Sequence, residues 1–298
     1  MLDSTADVGK WSRITIGADG FPLIAYNDED ATTLKSYHCT TATCSAGVAT
    51  TIDPAVNTGT HLDITTGSDG FGIISYIESS NQELWVAHCT TALCNSATLT
   101  AVHSSVVGGY TSIVIGTDNL ALISFYDTEN GNLMLVHCTN TACTTSDTAV
   151  TLDADAGNVG TYTSIAIAAN QRGIIACRDE DLTTLYVAHC DDADCSTATL
   201  VSIDSVGPQP GVGISIAIGA DGLGLISEVA RGTLRVVSDT ECVINECTSG
   251  THNCDSDATY ECMYMISEQA CWHKAAFEHV HTGVSLRVIC TGCDRVRC

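Results

Sequence analysis

The sequence predicts an all-β fold: a five-bladed β-propeller over residues 1–241, closed by its own N-terminal strand, and a small disulfide-rich module over residues 242–298. Three observations support this prediction. One motif recurs five times, each copy contains short runs of β-forming residues, and a pair of cysteines returns at a fixed spacing.

The recurring motif is clearest in the stretch SIAIGADGLGLISE, which begins at Ser215. Related stretches begin at Arg13, Asp63, Ser112 and Ser164. Their equivalent turn residues are separated by 50, 49, 52 and 51 positions: Asp19, Asp69, Asp118, Asn170 and Asp221. Such regular spacing is typical of tandem structural units.

Each repeat holds four short runs rich in Ile, Val, Thr and Tyr, separated by turn residues and without helical periodicity. Asp-Gly pairs between the first two runs suit a tight hairpin, because these residues tolerate a positive φ. Four antiparallel strands in roughly fifty residues describe one propeller blade.

The two ends of the repeat region complement each other. The opening residues MLDSTADVGKW align with the fourth run and following loop of other repeats, such as TLDADAGNVGTY at 151–162. The fifth repeat lacks a fourth run, because the chain enters a cysteine-rich tail after TLRVVSD at 233–239. We therefore expect residues 1–4 to complete the fifth blade and close the ring without long exposed edges. A linear β-solenoid is the alternative architecture.

A histidine and two cysteines, as in AHCTTALC at 87–94, recur in four repeats. The first cysteine is expected to end the third strand and the second to open the fourth, so that the sulfurs face each other across a hairpin. Each disulfide would stabilise the fold by roughly 2 kcal/mol. The predicted pairs are Cys39–Cys44, Cys89–Cys94, Cys138–Cys143 and Cys190–Cys195.

A metal site is the alternative for these residues, although one repeat offers only three zinc ligands and neighbours on a strand point to opposite faces. The recurring histidines are expected to pack or hydrogen-bond between blades instead: His38, His88, His137 and His189. The 17 cysteines are an odd number, so at least one is unpaired within the chain, and Cys177 lies outside the repeated pairs.

Two sets of residues are predicted to meet at the mouth of the propeller channel and are our candidate ligand-binding residues. One repeat position carries Trp11, His61, Tyr110, Tyr162 and Gly213. We expect its four rings to form an aromatic collar around the channel. The collar would stack on the faces of sugars or close the channel by packing. The loops between second and third runs carry equivalent carboxylates: Asp28, Glu78, Asp127 and Asp179. These acids bind Ca²⁺ or a cationic surface, or form a solvated rim.

The pattern IGADGLGLIS…LxVAHC…C resembles the tandem repeats of secreted bacterial propeller-type proteins, and distantly the Asp-box turns of sialidase-like propellers. This resemblance covers residues 1–241 and implies a fold more than an activity. In the tail, VINECTSGTHNCDSDATYEC at 243–262 resembles the opening of a calcium-binding EGF-like domain. Asn245 and Glu246 match residues that help to bind Ca²⁺ there, whereas Val243 replaces an expected acidic ligand.

The tail that begins at Cys242 contains eight cysteines and four histidines in 57 residues. A module with so small a core depends on disulfides for its stability, and an oxidising compartment favours them. The alternative is a Zn²⁺ site formed by His279, His281, Cys290 and Cys293.

The composition restricts the possible partners and the compartment. With 11 basic and 35 acidic residues, the net charge of −24 disfavours nucleic acid and anionic lipid surfaces as partners. No apolar run approaches the roughly eighteen residues of a membrane helix, so we expect no membrane insertion. The many cysteines fit an extracellular protein, although MLDSTADVGK lacks the basic and apolar regions of a signal peptide.

The sequence contains no motif that indicates an enzyme. G-x-S-x-G, H-E-x-x-H and the phosphate-binding loop are absent. Sialidase-like hydrolysis would need clustered arginines, but those in the repeats do not recur at equivalent positions: Arg13, Arg172, Arg178, Arg231 and Arg235. We therefore predict no catalytic residues.

From these observations we expect a secreted, non-enzymatic propeller for extracellular binding, adhesion or assembly. Its partner would be a glycan or a cell-surface protein, with no required cofactor and Ca²⁺ as an optional ligand. One alternative is a structural subunit of an extracellular fibre, linked through the tail to copies of itself. The other alternative is a glycan-active hydrolase of the sialidase-like type.

Overall fold

The structure is a computed structural model, and it describes residues 2–4, 7–104, 107–153, 157–204, 212–220, 222–230, 233–238, 278–280 and 283–285. The predicted all-β fold is confirmed for these residues, whose regular structure consists of strands. Each repeat forms one antiparallel sheet with its strands in chain order, and we number these sheets 1 to 5. None of the described residues belongs to a helix that is long and apolar enough to span a membrane.

Sheets 1 to 4 each contain four strands. Sheet 1 is formed by β1 (Val8–Ile16), β2 (Pro22–Asp28), β3 (Thr33–Cys39) and β4 (Gly47–Asp53). Sheet 2 is formed by β5 (Thr60–Thr66), β6 (Gly72–Glu78), β7 (Glu83–Cys89) and β8 (Ala97–His103). Sheet 3 is formed by β9 (Val107–Ile115), β10 (Ala121–Asp127), β11 (Asn132–His137) and β12 (Val150–Thr151). Sheet 4 is formed by β13 (Val159–Ile167), β14 (Gly173–Asp179), β15 (Thr184–Cys190) and β16 (Ala198–Asp204).

Sheet 5 contains three strands within the described residues: β17 (Val212–Ile218), β18 (Gly224–Ala230) and β19 (Thr233–Ser238). In the tail, β20 (Glu278–Val280) and β21 (Gly283–Ser285) form a short hairpin. The boundary between repeats and tail, the EGF-like segment and several predicted metal ligands lie outside the described residues: Asn245, Glu246, His281, Cys290 and Cys293. The side chain of His279 lies outside them as well.

Successive sheets pack face to face, and a separate apolar cluster fills each interface. Strands β6 and β10 are buried along their whole length because they are covered on both faces. Polar bonds also connect neighbouring first strands. The Ile165 amide donates to Ser112 Oγ at 3.2 Å, and the Ile216 amide donates to Ser164 Oγ at the same distance. These bonds connect sheet 4 to sheet 3 and sheet 5 to sheet 4.

The predicted closure of five blades into a ring is not confirmed, because the sheets do not close. Ile14 on β1 is 61% exposed, whereas the equivalent Ile64 in sheet 2 is 6% exposed. Residues 2–4 form no strand with sheet 5. Asp3 instead lies against sheet 1, where its carboxylate accepts a hydrogen bond of 2.8 Å from the Tyr26 hydroxyl. This polar contact holds the N-terminal residues on sheet 1.

The four predicted disulfides are confirmed, with Cα–Cα distances between 4.8 and 5.0 Å: Cys39–Cys44, Cys89–Cys94, Cys138–Cys143 and Cys190–Cys195. The second cysteine does not open the fourth strand as we expected. Cys44 lies in the turn before β4 with a φ of 52°, and its amide donates to Thr41 O at 2.9 Å. The bond therefore closes the turn. Among the described cysteines Cys177 has a free thiol, and it is buried.

Candidate functional site

The predicted collar lies where each first strand begins, at a break in the pairing with the second strand. In sheet 1 the break falls between Lys10 and Arg13, and in sheet 4 between Thr161 and Ser164. The repeat position at these breaks has a φ between 47° and 63° in all five sheets: Trp11, His61, Tyr110, Tyr162 and Gly213. Positive φ is uncommon for residues other than glycine, and such bulges re-aim a side chain. The same bulge at the start of each first strand therefore determines the direction of each collar side chain.

The structure brings the four collar rings into one continuous row. The ring centroids of Trp11 and His61 are 3.9 Å apart, those of His61 and Tyr110 are 5.3 Å apart, and those of Tyr110 and Tyr162 are 4.4 Å apart. Gly109 permits this approach, because a Cβ atom there would lie 3.0 Å from the His61 ring. All four rings are half-buried, so each keeps part of its surface open to a ligand.

Burial shifts the pKa values of two collar residues in the direction that favours their neutral forms. It lowers the pKa of His61, and the nearby Lys10 ammonium lowers it further. Burial raises the pKa of Tyr110, and so do a hydrogen bond with Tyr162 and the negative charge of Glu180. The collar is thus a row of neutral rings with polar tips, which is the chemistry that stacks on sugars.

A small cleft of about 150 Å³ opens beside Trp11, between sheets 1 and 2. Its wall contains an ion pair in which Lys10 Nζ lies 2.5 Å from Glu29 Oε1. The ammonium also lies 5.7 Å from the centroid of the Trp11 ring, within the range of a cation–π contact. The neutral polar residues of the cleft are Asn27, Thr32, Asn57, Thr60 and Ser79.

A second ion pair lies beside Tyr162 at the other end of the collar. Arg178 is buried, and its Nη2 atom lies 3.3 Å from Glu180 Oε2. Glu180 Oε1 accepts a hydrogen bond of 3.0 Å from Thr161 Oγ1. Among the described residues, Arg178 Nε has no hydrogen-bond partner. Each end of the collar thus combines an aromatic ring, a cation and a carboxylate.

Asp63 lies two residues after His61 on β5 and is a site residue that the sequence did not indicate. Its Oδ2 atom accepts hydrogen bonds from Ser112 Oγ at 2.8 Å and from the Ile113 amide at 3.0 Å. Arg13 Nε lies 3.7 Å from its Oδ1 atom. Burial nevertheless raises the pKa of Asp63 above its usual value, against the lowering effect of these partners. The available signal was its replacement by serine at the equivalent positions 112, 164 and 215.

The predicted rim carboxylates are buried, and three to nine per cent of their surface is exposed: Asp28, Glu78, Asp127 and Asp179. Each accepts hydrogen bonds from the amides of its own loop between the second and third strands. Glu78, for example, accepts from the Ser80 amide at 2.7 Å and the Asn81 amide at 2.9 Å. Burial alone would raise the pKa of Glu78, but these hydrogen bonds lower it. These acids therefore hold the loops in place and form no solvated rim.

Two of the repeated histidines, His38 and His137, form hydrogen bonds within their own sheet, where we expected packing or hydrogen bonds between blades. His38 Nε2 lies 2.8 Å from Asp19 Oδ2, and His137 Nε2 lies 2.7 Å from Asp118 Oδ2. Each aspartate belongs to the turn between the first and second strands, at the end of the sheet opposite the collar. The pair therefore ties this turn to the end of the third strand.

Comparison with solved structures identifies the architecture. An α-L-arabinanase of Penicillium chrysogenum complexed with arabinobiose is similar over 76% of this chain and 76% of that chain, with 13% identity and a TM-score of 0.54. The Dos1 propeller is similar over 81% of this chain and 59% of that chain, with 12% identity and a TM-score of 0.50. No protein-family model and no characterised protein sequence matches this chain.

These likenesses confirm the β-propeller over the solenoid alternative, and at such low identity they show the fold alone. They do not confirm the sialidase-like or Asp-box similarity. Our prediction of a non-enzymatic binding or adhesion module is contradicted, because a solved structure that shares the fold over 76% of both chains is an arabinanase. The accompanying prediction that the protein is no enzyme is corrected on the same finding.

Proposed function

We propose that this protein is an extracellular propeller that hydrolyses glycans at the collar. The row of four rings from Trp11 to Tyr162 is the observation that carries the proposal. Half-buried neutral rings suit the apolar faces of sugar units, and their polar tips suit the hydroxyl groups. The likeness to an arabinanase complexed with arabinobiose supports a glycan substrate. The four disulfides support a location outside the cell.

The two ion pairs would orient the sugar chain along the collar. Lys10 and Glu29 lie beside Trp11, while Arg178 and Glu180 lie beside Tyr162. Charged donors and acceptors bind sugar hydroxyls strongly and fix their direction. Stacking on the rings would then supply the binding affinity, and the ion pairs would determine where along the collar each sugar unit binds.

Glycoside hydrolysis needs one carboxylic acid that protonates the leaving oxygen and one carboxylate that activates water. Asp63 is our candidate for the acid, because burial raises its pKa and so favours its protonated form. Glu180 is our candidate for the base, because it lies at the collar and Arg178 and Thr161 hold its carboxylate in place. Asp63 would give its proton to the glycosidic oxygen as that bond breaks. Water would attack the anomeric carbon and lose a proton to Glu180.

The test measures product release from a panel of polysaccharides that includes linear arabinan. We expect the full chain to release oligosaccharides, and Asp63→Asn to lower kcat by about 10²–10⁴-fold because it removes the proton donor. Asn keeps the size of the side chain, and its amide oxygen can still accept from Ser112 and Ile113, so the variant should stay folded, which its melting curve checks. The variant Trp11→Ala should raise KM with less effect on kcat.

Phe21→Ala is a matched aromatic control, because Phe21 lies in the turn at the end of sheet 1 opposite the collar. It should leave kcat and KM unchanged. The proposal is wrong if no polysaccharide is cleaved, or if Asp63→Asn retains full activity on a glycan that the protein does cleave.

A further inference from the structure

Three sheets share an Asp–His pair at the end opposite the collar, and sheet 1 shows its simplest form. His38 Nδ1 is buried and has no hydrogen-bond partner among the described residues. Its Nε2 atom lies 2.8 Å from Asp19 Oδ2. A carboxylate only accepts hydrogen bonds, so the proton of neutral His38 is on Nε2 and is donated to Asp19. Among the described residues, the His38 ring therefore forms a hydrogen bond with Asp19 alone.

The pair in sheet 3 has additional partners. His137 Nδ1 lies 3.1 Å from Asp147 Oδ2, so that carboxylate can accept a proton from Nδ1. The Nε2 atom of His137 lies 2.7 Å from Asp118 Oδ2. A carboxylate oxygen of Asp194, from the neighbouring sheet 4, completes a group of three ligand atoms that all lie within 4.8 Å of one another. His137 is 8% exposed, so this group is anchored by a buried ring.

We propose that Asp118, His137 and Asp194 bind a divalent transition-metal ion, Zn²⁺, between sheets 3 and 4. One ring nitrogen of His137 and an oxygen of each carboxylate lie close enough to share one ion, which would take the place of the proton on Nε2 while Nδ1 keeps its own. Imidazole nitrogen and carboxylate oxygen are both zinc ligands, and the nitrogen favours Zn²⁺ over Ca²⁺. Asp118 and Asp194 are exposed, so ions can reach the site and water can take the fourth position.

Two further contacts orient the ligands. The hydrogen bond from His137 Nδ1 to Asp147 fixes the ring and its tautomer, which is how ligating histidines are commonly held. Asp118 Oδ1 accepts a hydrogen bond of 3.0 Å from the Leu120 amide, so its Oδ2 atom stays directed at His137. Asp147 is therefore a positioning residue that acts through the imidazole.

The repeat explains why this site arises once among sheets 1 to 4. Asp194 stands four residues after the first cysteine of its turn. The residues at that position in the other three sheets are Thr43, Leu93 and Ala142. By the repeat, Leu93 would face the Asp19–His38 pair of sheet 1, where it offers no ligand. The interface of sheets 3 and 4 thus has a third ligand that the interfaces of sheets 1 and 2 and of sheets 2 and 3 lack at this repeat position.

The experiment titrates Zn²⁺ into the chelator-treated full chain by calorimetry and compares it with Asp194→Ala, an exposed position whose change should not unfold the protein. Cysteines and histidines of the tail are present in both proteins, so the difference between them isolates the proposed site. We expect Asp194→Ala to lose one bound Zn²⁺ per chain and to lose the rise in melting temperature that Zn²⁺ produces. Asp147→Asn should retain the site with affinity lowered by about 10–100-fold.

Leu93→Asp provides a gain-of-site comparison, since it places a carboxylate opposite the Asp19–His38 pair. It should add a Zn²⁺ equivalent of lower affinity, because His38 lacks a counterpart of Asp147. Equal stoichiometry and equal affinity for the unaltered protein and Asp194→Ala would overturn the proposal. Because this site lies at the end opposite the collar, the result is independent of glycan hydrolysis.

Discussion

The interface of sheets 1 and 2 and the interface of sheets 3 and 4 each bury an aspartate at the same repeat position, but they differ in the residue that faces it. At the first interface, Asp53 Oδ2 accepts a hydrogen bond of 2.8 Å from the hydroxyl of Tyr76, which is fully buried. At the second, Asp153 takes the place of Asp53, and Cys177 takes the place of Tyr76. No side chain among the described residues donates a hydrogen bond to the carboxylate of Asp153, although Asp153 is only 5% exposed.

The difference shows that a buried polar pair depends on both of its members. Burial raises the pKa of Asp153 to about 7, and the nearby charges of Asp179 and Asp127 contribute to the rise. Burial also raises the pKa of the Cys177 thiol. A buried carboxylate without a donor destabilises a fold by about 1–3 kcal/mol. The interface of sheets 3 and 4 should therefore be the weaker of the two, and should respond to pH.

The largest expected effect comes from a substitution that disrupts the interface of sheets 1 and 2. Tyr76→Ala should lower the free energy of unfolding by about 3–5 kcal/mol, because it empties a buried site and leaves Asp53 without its donor. Urea unfolding followed by tryptophan fluorescence measures this change. Tyr76→Phe is the matched control, since Phe125 occupies the equivalent position in sheet 3. It should lower the same free energy by about 1–2 kcal/mol, and equal losses in both variants would argue against a role for the cavity.

A smaller effect concerns the pH dependence of the second interface. The folded state raises the pKa of Asp153 from 3.8 to about 7, so folding takes up a proton between those values. The contribution of this proton to stability is complete at acidic pH and disappears as the pH rises towards 7. Asp153→Asn should remove that decline and stabilise the protein near pH 8 by about 1–3 kcal/mol. Melting curves at several pH values test this, and parallel curves for both proteins would contradict it.

The smallest effect comes from copying the first interface into the second. Near pH 8 the free energy of unfolding of Cys177→Tyr should exceed that of Cys177→Phe by about 1 kcal/mol, because its hydroxyl gives Asp153 a donor, as in the pair of Asp53 and Tyr76. The measurement is urea unfolding of Cys177→Tyr and of Cys177→Phe, which adds the ring without the hydroxyl. Equal stability of the two variants would mean that the larger ring, and not the donor, decides the outcome.

Features that depend on repeat spacing were predictable from the sequence. The distance from Asp19 to Asp69 placed the sheets, and the spacing of Cys39 and Cys44 gave the disulfide, because each depends on contacts within one repeat. The row of collar rings also follows from the repeat, since equivalent residues of neighbouring sheets must lie side by side.

Features that depend on contacts between repeats were not predictable. Asp63 looked like one acid among many until Ser112 and Ile113 of the next sheet were placed against it. The rim acids looked solvated because their hydrogen bonds come from backbone amides, which the sequence does not reveal. The expectation of a non-enzymatic module is contradicted by the likeness to an arabinanase, and the proposed pair of Asp63 and Glu180 left no local motif because its members belong to separate repeats.

The most direct test of the collar as the glycan site is a crystal structure of the full chain with Asp63→Asn, soaked with an arabino-oligosaccharide. The account predicts sugar rings stacked on Trp11, Tyr110 and Tyr162, with the glycosidic oxygen next to residue 63. A sugar bound elsewhere on the molecule, with the collar rings bare, would contradict the account.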